Sequence, residues 1–389
     1  MQPHVHDLDV TNDPMPDLHD RTREFREAGR VSYVRIGGVP APLLTHYEDV
    51  MEAYRAEDLF PSAAAYKVIA GPVMGHTIQC MQGDEHRRHR ELVRSAFKPS
   101  VARDYVPTIF AEVAHELVDR FIANGRAELV RDFTKHFSFG IIARVIGIED
   151  VDNDQLHHWV SGLFGYPTDP EGAMKTTKEF NEFMVGVLDA RRREPRDDLL
   201  SGLLEAEIDG YRLDDEQIMS FVRLLFPAGA DTTFLSTGSM LLYLLRHPEV
   251  LERVRDQPED RPAAIEESLR IEPPVTVQPR MNPQAVEWRG LEIPAGPFLW
   301  GTTAANRDPE WFPDPDRFDI DRKYRHQIAS FGQGKHFCLG SHFARGEMQS
   351  ALDVLLERLP NLRLVEDDSI QIVGATLRGP NKIPVEFDA

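Results

Sequence analysis

Cysteine is scarce in this sequence. Its 389 residues contain only two, Cys80 and Cys338, and the two stand in unlike surroundings. Such a pair does not make the disulfide framework on which small secreted domains depend. We therefore expect a chain that folds around a hydrophobic core in a reducing cytoplasm.

Positive charge is also in short supply. Lysine and arginine number 44 against 64 aspartates and glutamates, which gives a formal net charge of −20. Nonspecific nucleic-acid binding needs a basic surface that neutralises phosphates, so this class of function is excluded. A strongly acidic surface repels copies of itself, and we expect a soluble monomer.

Long hydrophobic runs are missing as well. No continuous apolar stretch reaches the ~18 residues that a membrane-spanning helix needs. The first twenty residues contain acids, prolines and histidines without a basic start or an apolar core. We expect neither a signal peptide nor a membrane anchor in this segment.

The hydrophobic periodicity that is present predicts one mainly α domain over residues 1–389 with a small β lobe. The lobe is expected at roughly 30–60 and 275–300, together with the C-terminal strands, and the helical body at roughly 84–270 and 339–358. Helical patterns cover 18–29, 84–97, 103–123, 133–147, 154–163, 171–192, 197–206, 214–246, 261–270 and 341–358.

One cysteine lies in an unusual setting. The stretch from Phe331 to Gly340 reads FGQGKHFCLG, with Cys338 between glycines and a helical pattern directly after it. Glycines let a loop approach another group closely, and a helix N-terminus stabilises a thiolate through its dipole and free N–H groups. The pattern indicates a metal-bound thiolate, with a buried core cysteine as the alternative.

The identity of that metal follows from the shortage of further ligands. Cys80 is distant in sequence, and His336 and His342 do not make a recognisable zinc spacing with Cys338. A flat haem needs only one protein ligand, so a thiolate bound to haem iron fits this loop.

At these residues the sequence resembles the cytochrome P-450 family of haem-thiolate monooxygenases, in its soluble bacterial form. The resemblance implies a haem b between a long central helix and the loop that carries the cysteine. It makes Cys338 the proximal iron ligand and adds Phe331, His336 and Gly229 to the residues around the haem.

A helical face in the segment 84–97 carries His86, Arg90, Val93 and Phe97. A positive group on an inward face needs a buried acid, because an unpaired buried charge is costly. Haem propionates would supply it, and the resemblance implies this role for His86, Arg90 and also Arg280. The alternative is an arginine at the helix edge in water.

The long helix predicted from Asp214 contains a run that local propensity disfavours, including Pro227 and Gly229. Such a conflict is typical of a functional or kinked site. The resemblance assigns Ala228, Gly229, Asp231 and Thr232 to an oxygen-activating motif in which Asp231 and Thr232 move protons. A threonine in a helix also bonds back to the preceding turn, which is the alternative for Thr232.

Glu267 and Arg270 are three residues apart on a predicted helix, where an exposed pair would contribute little. The resemblance implies instead a buried pair joined by an arginine from a later Pro-x-x-Phe segment. The matching residue is Arg317, and the expected result is an internal charge network.

Basic residues gather near the cysteine loop despite the acidic whole. A solvated face is the simplest interpretation, and a docking patch for an acidic ferredoxin or flavoprotein is the alternative that we favour. No flavin or iron–sulfur motif occurs in the sequence, so electrons from NAD(P)H would arrive through a separate protein. The patch comprises Arg87, Arg94, Lys98, Lys335 and Arg345.

The expected function is insertion of one oxygen atom into a small hydrophobic substrate. A noncatalytic haem-thiolate sensor or carrier, a peroxide-dependent oxidase and a helical interaction protein without cofactor remain alternatives. The resemblance implies that the apolar stretch 60–75 covers the substrate, with plain packing as the alternative for its side chains. The residues expected to line the pocket are Tyr66, Ile69, Met74, Phe164, Ala228, Val275 and Thr376.

Overall fold

The structure, a computed structural model, describes residues 5–11, 14–148, 151–323 and 327–388. Helices dominate it, as the periodicity predicts. They are α1 (Leu18–Ala28), α2 (Tyr47–Arg55), α3 (Ser62–Ile69), α4 (Gly71–Met74), α5 (Gly83–Arg94), α6 (Pro99–Tyr105), α7 (Ala111–Asp119), α8 (Lys135–Ile146), α9 (Asn153–Phe164), α10 (Pro170–Arg193), α11 (Leu199–Glu205), α12 (Asp215–Arg246), α13 (Pro248–Asp256), α14 (Arg261–Ile271), α15 (Thr302–Asn306) and α16 (Ser341–Arg358).

Short strands complete the described chain. They are β1 (Val5–Asp9), β2 (Val31–Ile36), β3 (Val39–Leu44), β4 (Arg126–Glu128), β5 (Glu207–Ile208), β6 (Tyr211–Arg212), β7 (Val277–Asn282), β8 (Val286–Trp288), β9 (Leu291–Ile293), β10 (Gly296–Gly301), β11 (Arg363–Leu364), β12 (Ile372–Val373), β13 (Gly379–Pro380) and β14 (Pro384–Glu386).

The β lobe is a five-stranded sheet with the order β1-β2-β3-β10-β7. β2 pairs with β3 and β10 with β7 in antiparallel fashion, while β3 and β10 run parallel with Leu43 opposite Leu299. Leu44 and Trp300 are also paired there and are fully buried. The sheet thus brings together two segments that are more than 200 residues apart.

The C-terminal strands lie outside this sheet, although the sequence pattern had suggested that they join the lobe. β14 pairs with β11 on one side and with β4, which follows α7, on the other, and β12 pairs only with β13 among the described strands. The strands are two or three residues long, so local pattern alone does not fix their partners.

α12 is the centre of the helical body. It packs on α8, α9, α14, α16 and α4, and most of its residues are buried. Asp214 and Gln217 form a capping box, each side chain bonding the other residue's N–H at 2.9 Å. The helix continues through Pro227, since α8 and the other neighbours hold it on several sides.

In length and composition α12 is the one helix in the described chain that would be able to span a membrane. Its burial against several other helices explains the apolar composition equally well. We therefore interpret α12 as a core helix.

Two helical segments differ from the expected boundaries. The pattern over 103–123 breaks into α6, a wider turn at Val106–Phe110 and α7. Pro107 has no N–H for the usual bond four residues back, and a wider turn accommodates this loss. Between Pro61 and Gly71 the sequence predicts at most one turn of helix, at 63–66, whereas α3 extends over Ser62–Ile69.

Candidate active site

The loop before α16 folds back on itself and rests on α2. The Cys338 N–H donates to the Phe331 carbonyl at 2.9 Å. Gly332 and Gly334 have φ of +68° and +76°, and a Cβ on Gly334 would lie 2.9 Å from the Tyr54 carbonyl oxygen. These glycines are needed for positive φ and for close approach to α2.

The Cys338 thiol is exposed to solvent, yet protein atoms surround it. The side chain therefore lies in an opening of the protein surface that neighbouring residues surround. Burial raises the pKa of the thiol, while the Gly340 N–H at the start of α16 and the guanidinium groups of Arg90 and Arg345 act in the opposite direction. These three groups would stabilise a thiolate there.

α5 reaches the loop through Arg90, whose Nη2 donates to the Phe337 carbonyl at 2.5 Å. One turn earlier, His86 is buried and its Nε2 has no hydrogen-bond partner in the described chain. Burial lowers the pKa of His86 to about 4, with His336 and Arg90 adding to the effect. The two predicted residues therefore share a face that points to the cysteine loop.

His336 lies against His86, with ring centroids 4.1 Å apart. Its Nε2 hydrogen-bonds with Ser62 Oγ at 3.0 Å and with Glu57 Oε1 at 3.2 Å. Burial acts to raise the pKa of Glu57, but the bond and charge of His336 prevail and lower it. His336 thus already has a carboxylate partner within the protein.

Arg280 of β7 is buried with its guanidinium 3.7 Å from the centroid of the Trp300 ring. Its Nη1 donates to the Pro279 carbonyl at 2.8 Å, and it also contacts the Tyr66 hydroxyl. Its Nε has no partner in the described chain, and its charge helps to lower the pKa of Glu57 without forming a salt bridge with that carboxylate. A buried arginine without an acid is costly unless a ligand supplies the anion.

These residues fit a haem. Arg90, Arg280 and His86 offer buried or half-buried donors to two carboxylates, and Cys338 offers one thiolate. No cluster of three or more His, Cys, Asp or Glu side chains suited to a bare metal ion occurs in the part of the chain that the structure describes. A prosthetic group that needs a single axial ligand matches this donor set.

On α12, Asp231 is half-buried and Thr232 Oγ1 donates to the Ala228 carbonyl at 2.7 Å. Burial raises the pKa of Asp231 to about 7, and the charge of Lys135 on α8 opposes this shift. The bond of Thr232 is the ordinary one for a helical threonine. It leaves the lone pairs of the hydroxyl oxygen available to accept a hydrogen bond.

The small residues of α12 have a packing role as well. A Cβ on Gly229 would lie 2.9 Å from Cδ1 of Ile142 on α8, so glycine allows the two helices to approach. Ala228 and Gly229 are both half-buried. α12 in turn packs on α16, which connects this motif to the cysteine loop.

The predicted pocket residues of the covering segment have different surroundings. Met74 is buried, and Tyr66 and Ile69 are half-buried on α3. The Tyr66 hydroxyl donates to Gln278 Oε1 at 3.0 Å, which ties α3 to β7. Tyr66 is thereby placed beside Arg280.

Three other predicted pocket residues lie on separate elements. Phe164 is half-buried at the end of α9, and Val275 forms a bridge with Leu377. Thr376 is exposed, and its hydroxyl donates to the Val10 carbonyl at 2.5 Å. This side chain thus contacts the N-terminal segment, although the turn that carries it lies next to Val275.

Glu267 and Arg270 form a fully buried pair. Arg270 Nε and Nη2 donate to the two carboxylate oxygens of Glu267 at 2.8 and 2.7 Å. The remaining donors of Arg270 bond the carbonyls of Asn306, Pro315 and Arg317 at 2.8 to 3.2 Å. Every N–H of the guanidinium therefore has a partner.

The expectation that the Arg317 side chain joins this pair needs correction. Arg317 is exposed, and the guanidinium that reaches Glu267 is that of Arg322, with Nε 3.3 Å from Oε1. The reason is a turn in which Asp314 has φ of +49° and the Arg317 N–H donates to its carbonyl. This turn points the Arg317 carbonyl inward and its side chain outward.

The basic residues near the loop are mostly paired at the surface. Arg87 lies 3.2 Å from Asp84, Arg94 lies 3.1 Å from Glu91, and Lys335 lies 3.9 Å from Asp58. Lys98 is exposed. Arg345 pairs with Glu266 and lies over the Phe331 ring at 4.3 Å, so it supports the loop as much as it adds surface charge.

The cytochrome P-450 family model matches residues 163–259 and 262–381, which is more than half of the chain. The chain therefore belongs to the cytochrome P-450 family, and it is an enzyme of the haem monooxygenase class. Its mainly α fold with a small β lobe is the fold of that family.

Individual relatives cover nearly the whole chain. Mycinamicin IV hydroxylase/epoxidase from Micromonospora griseorubida is 36% identical over 390 residues, with 96% of this chain and 97% of the relative covered. Cytochrome P-450 107B1 from Saccharopolyspora erythraea is 34% identical, with 95% of each chain covered. The structure of the Bacillus subtilis bacillaene polyketide synthase cytochrome P-450 PksS matches with a TM-score of 0.88 and 28% identity, covering 98% of this chain and all of that one.

Sequence reasoning missed several residues of this site. Glu57 and Trp300 contact predicted residues, and the charge of Lys135 acts on Asp231. Each of the three comes from a distant segment with no motif of its own. Arg322 follows the Pro-x-x-Phe segment closely and could have been weighed beside Arg317. The signal for Arg322 in the sequence is an arginine four residues after Phe318.

Proposed function

We propose that this enzyme inserts one atom of dioxygen into a small hydrophobic substrate by hydroxylation or epoxidation, with electrons from NAD(P)H delivered by a separate ferredoxin or flavoprotein. The observation that carries the proposal is the half-buried Asp231 beside Thr232, on a helix packed against α16. A noncatalytic carrier has no need of a proton-exchanging acid in that position.

When bound through Cys338, haem iron supplies dioxygen activation, and thiolate donation favours cleavage of the O–O bond. The chain's own residues hold the group. Arg90, Arg280 and His86 provide the hydrogen-bond donors for its carboxylates, and the Gly340 N–H tempers the charge on the Cys338 sulfur.

Asp231 and Thr232 have different roles in proton transfer. A carboxyl with a pKa of about 7 both takes and gives a proton near neutral pH, which suits a general acid. The Thr232 hydroxyl is fixed by its bond to Ala228, so its oxygen accepts a hydrogen bond from a water at a defined position. Retention of both residues favours an electron-supplied enzyme over a peroxide-dependent one.

The substrate class follows from the apolar covering segment, in which Ile69 and Met74 are packed into the hydrophobic core. Polar anchors are few there, and the Tyr66 hydroxyl is already used by Gln278. One relative is named as a hydroxylase and epoxidase of mycinamicin IV. This supports hydroxylation or epoxidation as the reaction.

The electron donor is proposed to dock beside α5 and α16. Arg87 and Arg94 are exposed on α5, and Lys98 is exposed shortly after the end of this helix. A groove of about 310 Å³ nearby is lined by side chains that include Arg103, His342 and Arg345. A basic surface around a groove steers an acidic partner.

The test is turnover under labelled dioxygen with a surrogate ferredoxin, its reductase and a panel of hydrophobic compounds. We expect a product that carries one labelled oxygen atom and NAD(P)H consumption that depends on substrate. Thr232→Ala should bind haem normally but divert electrons to hydrogen peroxide. Unchanged coupling of electrons to product in Thr232→Ala would contradict the assigned role, and no NAD(P)H consumption with any compound would favour a sensor or carrier.

A further inference from the structure

A buried arginine on α12 plays no part in the chemistry described so far. Arg223 lies in the N-terminal half of the helix among apolar residues, and its side chain is 4% exposed. Arginine is rarely buried unless its donors are satisfied. Its partners therefore show what its burial achieves.

The guanidinium of Arg223 bonds in three directions. Nε donates to the Met74 carbonyl at 3.0 Å, and Nη1 donates to Asn181 Oδ1 of α10 at 2.9 Å. Nη2 pairs with Glu216 in the first turn of α12. One planar group thus joins the end of the covering segment, α10 and α12.

The ion pair with Glu216 is not the main element of this contact. The Glu216 side chain is 71% exposed, so solvent screens its attraction to Arg223. The Met74 carbonyl and the half-buried Asn181 amide contribute shielded bonds to a charged donor, which are stronger than neutral ones.

The backbone after Met74 is shaped to fit the guanidinium. Gly75 has φ of +80°, and a Cβ there would lie 2.8 Å from Arg223 Nη2 and 3.0 Å from Glu216 Oε1. A side chain at this position would separate the turn from the arginine. α4, which ends at Met74, packs on both α10 and α12.

We propose that Arg223 is a positioning residue that joins the covering segment to α10 across α12 and thereby sets the rate at which hydrophobic ligands enter and leave the active site. The inference rests on the proposed function only in taking the covering segment, residues 60–75, as the cover of the pocket. Loss of the contact speeds both the binding and the release of ligand, because it frees the covering segment without altering the groups that face the haem.

The experiment compares the haem-loaded wild type with Asn181→Ala and Arg223→Lys. Arg192→Met is the matched control, since Arg192 joins the same two helices through Asp215 at the surface but does not contact the covering segment. Stopped-flow absorbance follows binding and release of phenylimidazole, which ligates haem iron. Hydrogen exchange of the backbone amides at 66–75 is measured on the same samples.

In Asn181→Ala both the association and the dissociation rate should rise about tenfold, as expected when a hydrogen bond to a charged group is lost, with little change in affinity. Amides at 66–75 should exchange faster in Asn181→Ala and Arg223→Lys and as in wild type in Arg192→Met. A merely structural role would lower haem content and affinity together. If Asn181→Ala binds and releases phenylimidazole at wild-type rates and shows wild-type hydrogen exchange, the proposal is overturned. This outcome is decisive even if Arg223→Lys does not fold.

Hydrogen exchange and phenylimidazole binding require no electron donor and no turnover. A failure of the proposed monooxygenase function would therefore leave these readouts unaffected. Conversely, an enzyme that hydroxylates substrate but shows unaltered exchange in the variants would refute only the role of Arg223.

Discussion

Two sets of polar side chains in this molecule differ in one respect. In the first, which we call the frame, Glu267, Arg270 and Arg322 satisfy one another and the backbone, and Glu267 and Arg270 are both 0% exposed. In the second, which we call the cradle, His86 and Arg90 contact the Cys338 loop and Arg280 lies beside Tyr66 of α3. The donors of these three side chains have few partners or none in the described chain.

The groups of the frame stabilise the fold, whereas the donors of the cradle are available to bind a ligand. A fully bonded arginine is part of the structure of the chain alone, and its removal leaves a buried carboxylate behind. A buried arginine without an acid costs stability in the chain alone and recovers this cost when an anion binds. The cradle therefore indicates a doubly acidic cofactor on a single thiolate.

Replacement in the frame should have the largest effect. Arg270→Met leaves Glu267 buried without its bidentate partner, which costs roughly 3–5 kcal/mol of unfolding free energy. We expect little folded protein, as measured by soluble yield and urea unfolding. Arg317→Met is the control, because that side chain is exposed. Equal stability of both variants would remove the distinction between frame and cradle.

Replacement in the cradle should affect cofactor retention. Arg280→Met keeps the stacking position over Trp300 with an apolar side chain and removes a guanidinium whose Nε has no hydrogen-bond partner in the described chain. We expect wild-type helix content and about tenfold faster haem loss to apomyoglobin, the effect of one lost charged hydrogen bond. Loss of folded protein comparable to that of Arg270→Met would place Arg280 in the frame.

How far sequence alone reaches differs between these regions. The Cys338 loop, α16 and the shared face of His86 and Arg90 follow from local spacing, because helical geometry fixes which residues are neighbours. Arg322, and not the predicted Arg317, bonds Glu267, because the left-handed backbone at Asp314 turns the chain. Hydrophobic periodicity does not predict such a turn.

Long-range contacts were the other limit. Lys135 opposite Asp231 and the bonds of Arg223 join helices that are far apart in sequence. Strand β1 and the pairing of the short C-terminal strands with β4 were likewise missed. Such pairings depend on the packing of the whole chain.

The pH dependence of stability tests Asp231, which belongs to neither set. Burial raises its pKa from 3.8 to about 7, so between these values the folded state holds a proton that the unfolded state has lost. Stability contributed by this group is therefore lost as pH rises through that window. Asp231→Asn should gain in unfolding free energy relative to wild type on going from acidic to neutral pH.

Urea unfolding across that pH range measures the effect. Lys135 on α8 and Asp154 at the start of α9 carry the neighbouring charges, and exposed Asp154→Asn serves as control. A constant difference between Asp231→Asn and wild type at every pH would show that the Asp231 carboxyl has an ordinary pKa.

The smallest effect is expected at the surface near α5. Lys98→Gln should slow reduction by an acidic ferredoxin about twofold at low ionic strength and not at high salt, since exposed charges are screened. Lys178→Gln on α10 is the control for a change of equal charge. An equal response in both variants, or a rate in wild type that does not depend on salt, would argue against the docking surface.

The most direct test of the account is the absorbance spectrum of the reduced protein under carbon monoxide. With the Cys338 thiolate on the iron, the wild type should show a strongly red-shifted Soret band, and Cys338→Ser should lose that shift while it retains the α-helical fold. A wild-type spectrum without the shift, or a Cys338→Ser variant that keeps it, would contradict the assignment of Cys338 as the ligand.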